Sequence, residues 1–159
     1  MATGEVGKKP VVHLYEFVGT SNPTGSFSTL TSISGLLVKG IAQLAFSPDG
    51  RQLFAVDLDY TVAIYDCNRS NNTSIGRMIA SGQGPKGKIY HSTSLRGDKF
   101  ISCGEKHLCI WSVANSRLTI ENAKLGDFRN KNFLSCARLK VFPNLVVLTL
   151  SITNLLSVG

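Results

Sequence analysis

The sequence predicts an all-β fold of short antiparallel strands, and three observations support this prediction. Short runs such as "VVHLYEF", "TVAIYD" and "HLCIW" are rich in β-branched and aromatic residues and often alternate between apolar and polar. Turn signals separate the runs, among them "SPDG" at 47–50 and "SGQGPKG" at 81–87. No window combines a helical apolar period with capping residues. Many short strands joined by tight turns are therefore expected.

Two segments of the chain match each other, which indicates the kind of all-β fold. Residues 40–66 and 87–112 each have the pattern strand, glycine-containing turn, strand, tight turn, and strand ending in an aromatic. Gly50 corresponds to Gly97, 47 positions later, and Tyr65 corresponds to Trp111, 46 positions later. A period of about 40–50 residues with four strands per unit is typical of WD40-type β-propeller blades.

The rest of the chain fits the same period, so we expect parts of two further blades around the two whole ones. Since propellers usually have about four to eight blades, the prediction is an incomplete propeller that does not close alone. The final "LTLSITNLLSVG" lacks the expected turn glycine and terminal Trp, as a truncation, an alternative exon or a gene-model error would produce. The predicted units are the end of a preceding blade (1–18), a connecting loop and outer strand (19–39), a WD-like blade (40–68), a basic connecting segment (69–86), a second WD-like blade (87–121), the start of a further blade (122–148) and an atypical tail (149–159).

The stretch "FISCGEKHLCIW" at 100–111 raises the question of a metal site. A zinc site needs converging ligands, often as paired CxxC or HxxxH spacings, and this stretch has neither. In a WD-like unit Cys103 and Gly104 close an inner strand, with the glycine permitting the turn, and His107 bonds within the turn. Cys109 and Trp111 then lie on one face, toward a neighbouring blade. The sequence therefore predicts no metal and no cofactor, and it predicts structural roles for Gly4, Gly50, Tyr65, Gly97, Cys103, Gly104, His107 and Trp111.

Catalytic chemistry is not predicted either. His13, His91 and His107 are scattered along the chain, and Asp57 and Asp59 belong to a turn between two strands. Neither a Ser-His-Asp nor a Cys-His arrangement is suggested by spacing. The sequence has no secretory signal and no membrane span, so the four cysteines are expected to be reduced thiols. We therefore expect a non-enzymatic protein with no membrane association.

The charge distribution suggests an acidic partner. The net charge is +7, but residues 1–68 carry −2 (four Lys/Arg, six Asp/Glu) and residues 69–140 carry +9 (thirteen Lys/Arg, four Asp/Glu). A basic region attracts acidic proteins or nucleic acid. Nucleic acid is disfavoured because the basic loops show no interleaved aromatic residues for stacking. The candidate contacts, all in predicted loops, are Arg69, Arg77, Lys86, Lys88, Lys124, Arg129 and Lys131.

Four short motifs over residues 1–140 resemble the echinoderm microtubule-associated protein-like (EMAP-like) family of WD-repeat proteins. They are the "ATGE" turn at 2–5, "CGEKHLCIW" at 103–111 with the following Leu118-Thr119, Gly126 in "LGDF", and "LSCA" at 134–137. The family's coiled coil and the short motif that precedes its first blades have no counterpart in these 159 residues. The resemblance implies a cytoplasmic, cytoskeletal scaffold that binds microtubules or soluble tubulin and other proteins. The alternative is an interaction scaffold of a nucleic-acid-associated or other multiprotein complex.

Overall fold

A computed structural model describes residues 1–19, 25–68, 74–96, 99–139 and 146–151. Apart from a 3₁₀ turn at Gly126–Phe128, the regular elements in these ranges are all strands, which confirms the all-β prediction. None of the described residues belongs to a helix that is long and apolar enough to span a membrane. The strands are β1 (Ala2–Gly4), β2 (Val12–Val18), β3 (Ser26–Ile33), β4 (Ile41–Phe46), β5 (Gln52–Asp57), β6 (Thr61–Asp66), β7 (Arg77–Gln83), β8 (Ile89–Ser94), β9 (Lys99–Gly104), β10 (His107–Ala114), β11 (Arg117–Asn122), β12 (Phe133–Arg138) and β13 (Val146–Leu150).

The described strands form four antiparallel sheets, each a meander in chain order. The first blade contains β1–β3, the second β4–β7, the third β8–β11 and the fourth β12–β13. The second and third blades share fine detail. Their first strands carry a register irregularity at Ile41/Gln43 and at Ile89/His91, which are 48 positions apart and so close to the offsets of 47 and 46 in the sequence.

One predicted boundary differs from the structure. The segment 69–86 is expected from the sequence to be a connection, but residues 77–83 form β7, the outermost strand of the second blade, paired with β6. An outer strand packs less against neighbouring blades, so "RMIASGQ" lacks the apolar alternation that marks inner strands. Its first residue, Arg77, is therefore on a strand and not in the predicted loop.

Apolar side chains between successive blades form the core. Phe54 of the second blade stacks on Phe100 of the third at 5.1 Å and meets Trp111 at 5.8 Å. On β10, Cys109 and Trp111 belong to the cluster shared with the second blade, whereas Leu108 packs in the cluster shared with the fourth. The two faces of one strand thus contribute to two different cores, because successive side chains of a strand point to opposite faces.

The tight turns before β6 and β10 use left-handed residues that are not glycine. Tyr60 has φ 65° and Lys106, 46 positions later, has φ 56°. Gly104 lies outside the left-handed region, so its predicted role in the turn is wrong. It is needed because a methyl group there would overlap the carbonyl oxygen of Lys88. Gly50, at φ 72°, does occupy a turn that favours glycine.

The meander places alternate connections on two opposite edges of the arc of blades. The connections 5–11, 34–40, 58–60, 84–88, 105–106 and 123–132 share one edge, here named the upper edge, and the remaining connections form the lower edge. Backbone hydrogen bonds join neighbouring upper connections: Leu58 N donates to Gly40 O (2.9 Å), Gly84 N to Tyr60 O (2.7 Å) and Glu105 N to Lys88 O (2.9 Å). Neighbouring loops of the upper edge are thus held to each other by backbone hydrogen bonds.

Candidate basic interaction edge

Five of the cations predicted from the sequence come together on the upper edge. Lys86 and Lys88 lie in the connection between β7 and β8, and Lys124, Arg129 and Lys131 lie in the connection between β11 and β12. All five side chains are exposed. Among the described residues none of the five forms an ion pair with a carboxylate, so their charge is directed toward solvent.

The other two predicted contacts do not join this group. Arg77 starts β7 at the lower edge, where its Nη2 lies 3.7 Å from Oδ2 of Asp66. That carboxylate already offsets part of its charge. Arg69 lies outside the described residues, as does Gly97 among the predicted structural residues.

The upper edge also contains four cations that were not predicted as contacts. They raise the number of Lys/Arg in the upper connections to nine, against four Asp/Glu. The sequence analysis missed them because three belong to turns in the acidic half of the chain and one belongs to a turn of two residues. Only the order of the strands shows that these turns share an edge with the basic loops. The four are Lys8, Lys9, Lys39 and Lys106.

Several carboxylates near this edge are engaged within the protein. Buried Asp57 accepts hydrogen bonds from the backbone N–H groups of Val38, Asp59 and Thr61 at 3.2, 2.8 and 2.9 Å. Asp59 in turn pairs with Lys39 at 2.8 Å, and this hydrogen bond raises the pKa of the lysine. Asp57 thus stabilises turns, and Asp59 pairs with Lys39. In the part of the chain that the structure describes, neither carboxylate pairs with the cations of the connections 84–88 and 123–132.

One exposed aromatic lies within the basic loops, contrary to the sequence expectation. Phe128 is 53% exposed at the end of the 3₁₀ turn, directly before Arg129. Phe128 stands directly before Arg129 in the sequence, so the sequence analysis could have found it. A single ring does not form the series of stacking surfaces that single-stranded nucleic acid uses, so this correction weakens the argument against nucleic acid without reversing it.

A cavity of about 290 Å³ opens between the second and third blades next to Lys88. Lys88 lines it together with Tyr60, Tyr90, Leu58 and Asp57. The carboxylate of Asp57 is already engaged by three backbone N–H groups, so the lining offers a partner side chain apolar and aromatic surface together with the cation of Lys88.

The buried residues of the third blade serve its architecture. Trp111 Nε1 donates to Ser102 Oγ at 2.8 Å, and both residues are buried. His107 Nδ1 is hydrogen-bonded to Glu105 O at 3.0 Å within the turn, and burial lowers the pKa of this imidazole. Burial also raises the pKa of the Cys109 thiol to about 11, which disfavours the reactive thiolate.

The structural residues of the first two blades also pack between sheets. Gly4 lies against the side chain of Ile41 in the next blade, leaving no space for a side chain of its own. Tyr65, the counterpart of Trp111, is buried in the cluster between the first and second blades. Within the described ranges, no group of three or more His, Cys, Asp or Glu side chains is placed to hold a metal ion.

Comparison with known proteins identifies the fold. No protein-family model matches the sequence. The chain is similar to Chaetomium thermophilum Sqt1, solved bound to the N-terminus of the ribosomal protein L10, with 19% identity and a TM-score of 0.59 over 86% of this chain and 36% of that one. It is also similar to the Myceliophteria thermophila Cps50 (Swd1) β-propeller domain, with 9% identity and a TM-score of 0.58 over 94% of this chain and 50% of that one. These similarities confirm the WD40-type propeller prediction, and the chain spans half or less of each structure.

Proposed function

We propose that this chain is a non-enzymatic WD-repeat scaffold of the cytoplasm and cytoskeleton, and that its upper edge binds the acidic surface of tubulin or microtubules. The observation that carries the proposal is the group of five exposed cations in two connections of that edge, none of which pairs with a carboxylate of the described residues. Loops on a rigid framework are the usual place for binding residues. Hydrogen bonds between neighbouring connections reduce the conformational freedom that a partner would have to remove.

A protein partner is favoured by the form of the site. Exposed cations guide an acidic partner into place and increase its association rate. The cavity beside Lys88 offers a place for one partner side chain, which a charged surface alone would not provide. The similar fold of Sqt1 holds a protein segment, the N-terminus of ribosomal protein L10, and is an example of the same class of binding.

Tubulin is proposed as the partner because of the EMAP-like motifs. The turn at 2–5 and the segment at 103–111 occur in the order and spacing of that family, and an acidic tubulin surface complements the upper edge. The competing function is a scaffold in a nucleic-acid-associated complex. Exposed Phe128 beside Arg129 is the one observation that favours it.

Co-sedimentation with microtubules tests the proposal. We expect the protein to pellet with intact microtubules, to pellet less after proteolytic removal of the acidic tubulin tails, and to remain bound when nucleic acid is added as competitor. Absence of pelleting would reject tubulin as the partner. Complete release by nucleic acid at low concentration would favour the competing function instead.

A further inference from the structure

Two cysteines from different blades meet in the core between the third and fourth blades. Cys103 is the last residue but one of β9 and Cys136 lies on β12, 33 positions later, and the two residues are 0% and 1% exposed. Both side chains pack in the same buried apolar cluster, and each thiol shifts the pKa of the other. Proximity of two thiols is what disulfide formation requires, and the described cysteines are free in this structure.

A histidine lies against the same pair. His91 is the cross-strand partner of Cys103 in the third blade. Its Nδ1 accepts a hydrogen bond from the backbone N–H of Cys136 at 3.3 Å and lies 3.6 Å from Cys136 Sγ. A ring nitrogen that accepts an N–H bond carries its one lone pair there, so it can take the proton of the Cys136 thiol in place of that hydrogen bond.

The two thiols are not equivalent. His91 Nδ1, a proton acceptor, lies 3.6 Å from Cys136 Sγ, which suits Cys136 to the second step of disulfide formation. The neighbouring Cys136 thiol lowers the pKa of Cys103, which suits the Cys103 thiolate to the first step. The remaining cysteines, Cys67 and Cys109, lie in other clusters, and burial raises the pKa of each thiol to about 11.

We propose that Cys103 and Cys136 are a redox-sensitive pair, which a hydroperoxide converts into a disulfide between the third and fourth blades. The Cys103 sulfur attacks the peroxide oxygen, the O–O bond breaks, and a sulfenic acid and one water form. Cys136 gives its proton to His91 and attacks the Cys103 sulfur. The S–S bond forms, and the leaving hydroxide takes up a proton to become a second water. Two thiols are oxidised and one peroxide is reduced to two waters.

A cavity lies next to the cluster that contains the two cysteines, and neither thiol is among its lining residues. It has a volume of about 510 Å³ and is lined by Ile101 and Ile110 of the third blade and by Val146 of the fourth. Ile101 and Cys103 are two residues apart on β9 and share the apolar cluster that contains Cys136. A molecule as small as hydrogen peroxide suits this approach better than a bulky disulfide.

Stepwise oxidation of the native protein with hydrogen peroxide tests the pair. We expect the number of free thiols to fall from four to two, the intact mass to fall by two hydrogens, and peptide mapping to show one Cys103–Cys136 cross-link that dithiothreitol reverses. The variant Cys67→Ala/Cys109→Ala should form the same cross-link. A cross-link to Cys67 or Cys109, or four thiols that persist until the protein is unfolded, would overturn the proposal.

Single variants test the order of the steps. Cys136→Ala should trap Cys103 as a sulfenic acid that dimedone labels, whereas Cys103→Ala should leave Cys136 unlabelled. His91→Gln should form the same cross-link several-fold more slowly. Equal labelling in both cysteine variants would contradict Cys103 as the nucleophile, and an unchanged rate in His91→Gln would contradict the histidine as proton acceptor.

Discussion

Charge reversal on the upper edge is the most direct test of how this protein binds. The variant carries Glu at Lys86, Lys88, Arg129 and Lys131, which are four of the five unpaired cations. Their side chains are exposed and make no ion pair with the described residues, so the substitutions leave no buried partner behind. We therefore expect weaker binding to microtubules together with an unchanged unfolding transition.

The size of the effect follows from exposed ion pairs. Each such pair contributes about 0.2–1 kcal/mol, and a like-charge contact costs a similar amount. Four reversals spread over two connections should together remove at least about 2 kcal/mol of binding free energy. This corresponds to a Kd that is at least roughly 30-fold higher. Raising the salt concentration should also weaken microtubule binding by the unmodified protein, because exposed charges are screened over about 10 Å at 0.1 M.

A matched variant separates the upper edge from net charge. Arg96, Lys99, Arg117 and Arg138 lie on the lower edge, and replacing all four with Glu changes the total charge by the same amount. This control should keep its Kd within a few-fold of the unmodified protein in the co-sedimentation assay. An equal loss in both variants would show that net charge and not the edge drives binding. Binding that is indifferent to both variants and to salt would refute the electrostatic account and leave the family resemblance standing.

Three further predictions concern stability and association. Trp111→Phe removes the Nε1–H group that donates to buried Ser102 Oγ, so the free energy of unfolding measured with denaturant should fall by about 1–3 kcal/mol. An unchanged free energy of unfolding would mean that this hydrogen bond is dispensable. Gly104→Ala places a methyl group against the carbonyl oxygen of Lys88 and should cost roughly 2 kcal/mol or more in the same assay, whereas stability within experimental error would contradict the close approach. Large apolar side chains remain exposed on the outer blades, such as Phe17 at 59%, so the 159-residue chain should bind a hydrophobic dye or self-associate. A chain extended until the propeller closes should do neither, and a monomeric, cooperative transition without dye binding would count against this reasoning.

The inner strands could be predicted because their sequences are determined by burial on both faces. "QLFAVD" and "KFISCG" lie between two neighbouring sheets and are apolar along most of their length. The 46-residue offset between Tyr65 and Trp111 then follows from the repeated need for one large aromatic at the same place. The outer strand β7 lacks this double burial, and its sequence accordingly resembles a connection.

Contacts between blades could not be predicted in the same way. Cys103 and Cys136 belong to different repeats, and the sequence shows only that each cysteine is on an apolar strand. Their contact depends on which face of β12 is turned toward the third blade. A shift of one residue in that strand would replace Cys136 by a neighbour pointing the opposite way.

The upper edge shows why a charge count along the chain is a poor guide to the charge of a surface. Residues 1–68 have a net charge of −2, yet Lys8, Lys9 and Lys39 of that half lie on the basic edge. One of that half's carboxylates, Asp57, is buried and holds a turn through three backbone N–H groups. The three lysines are exposed and can contact a partner directly, whereas this carboxylate cannot. If the upper edge is the binding surface, replacing both Lys8 and Lys9 with Glu should weaken microtubule binding by about 1–2 kcal/mol, although both residues lie outside the basic half. Binding unchanged in this double variant would confine the contact surface to the connections 84–88 and 123–132.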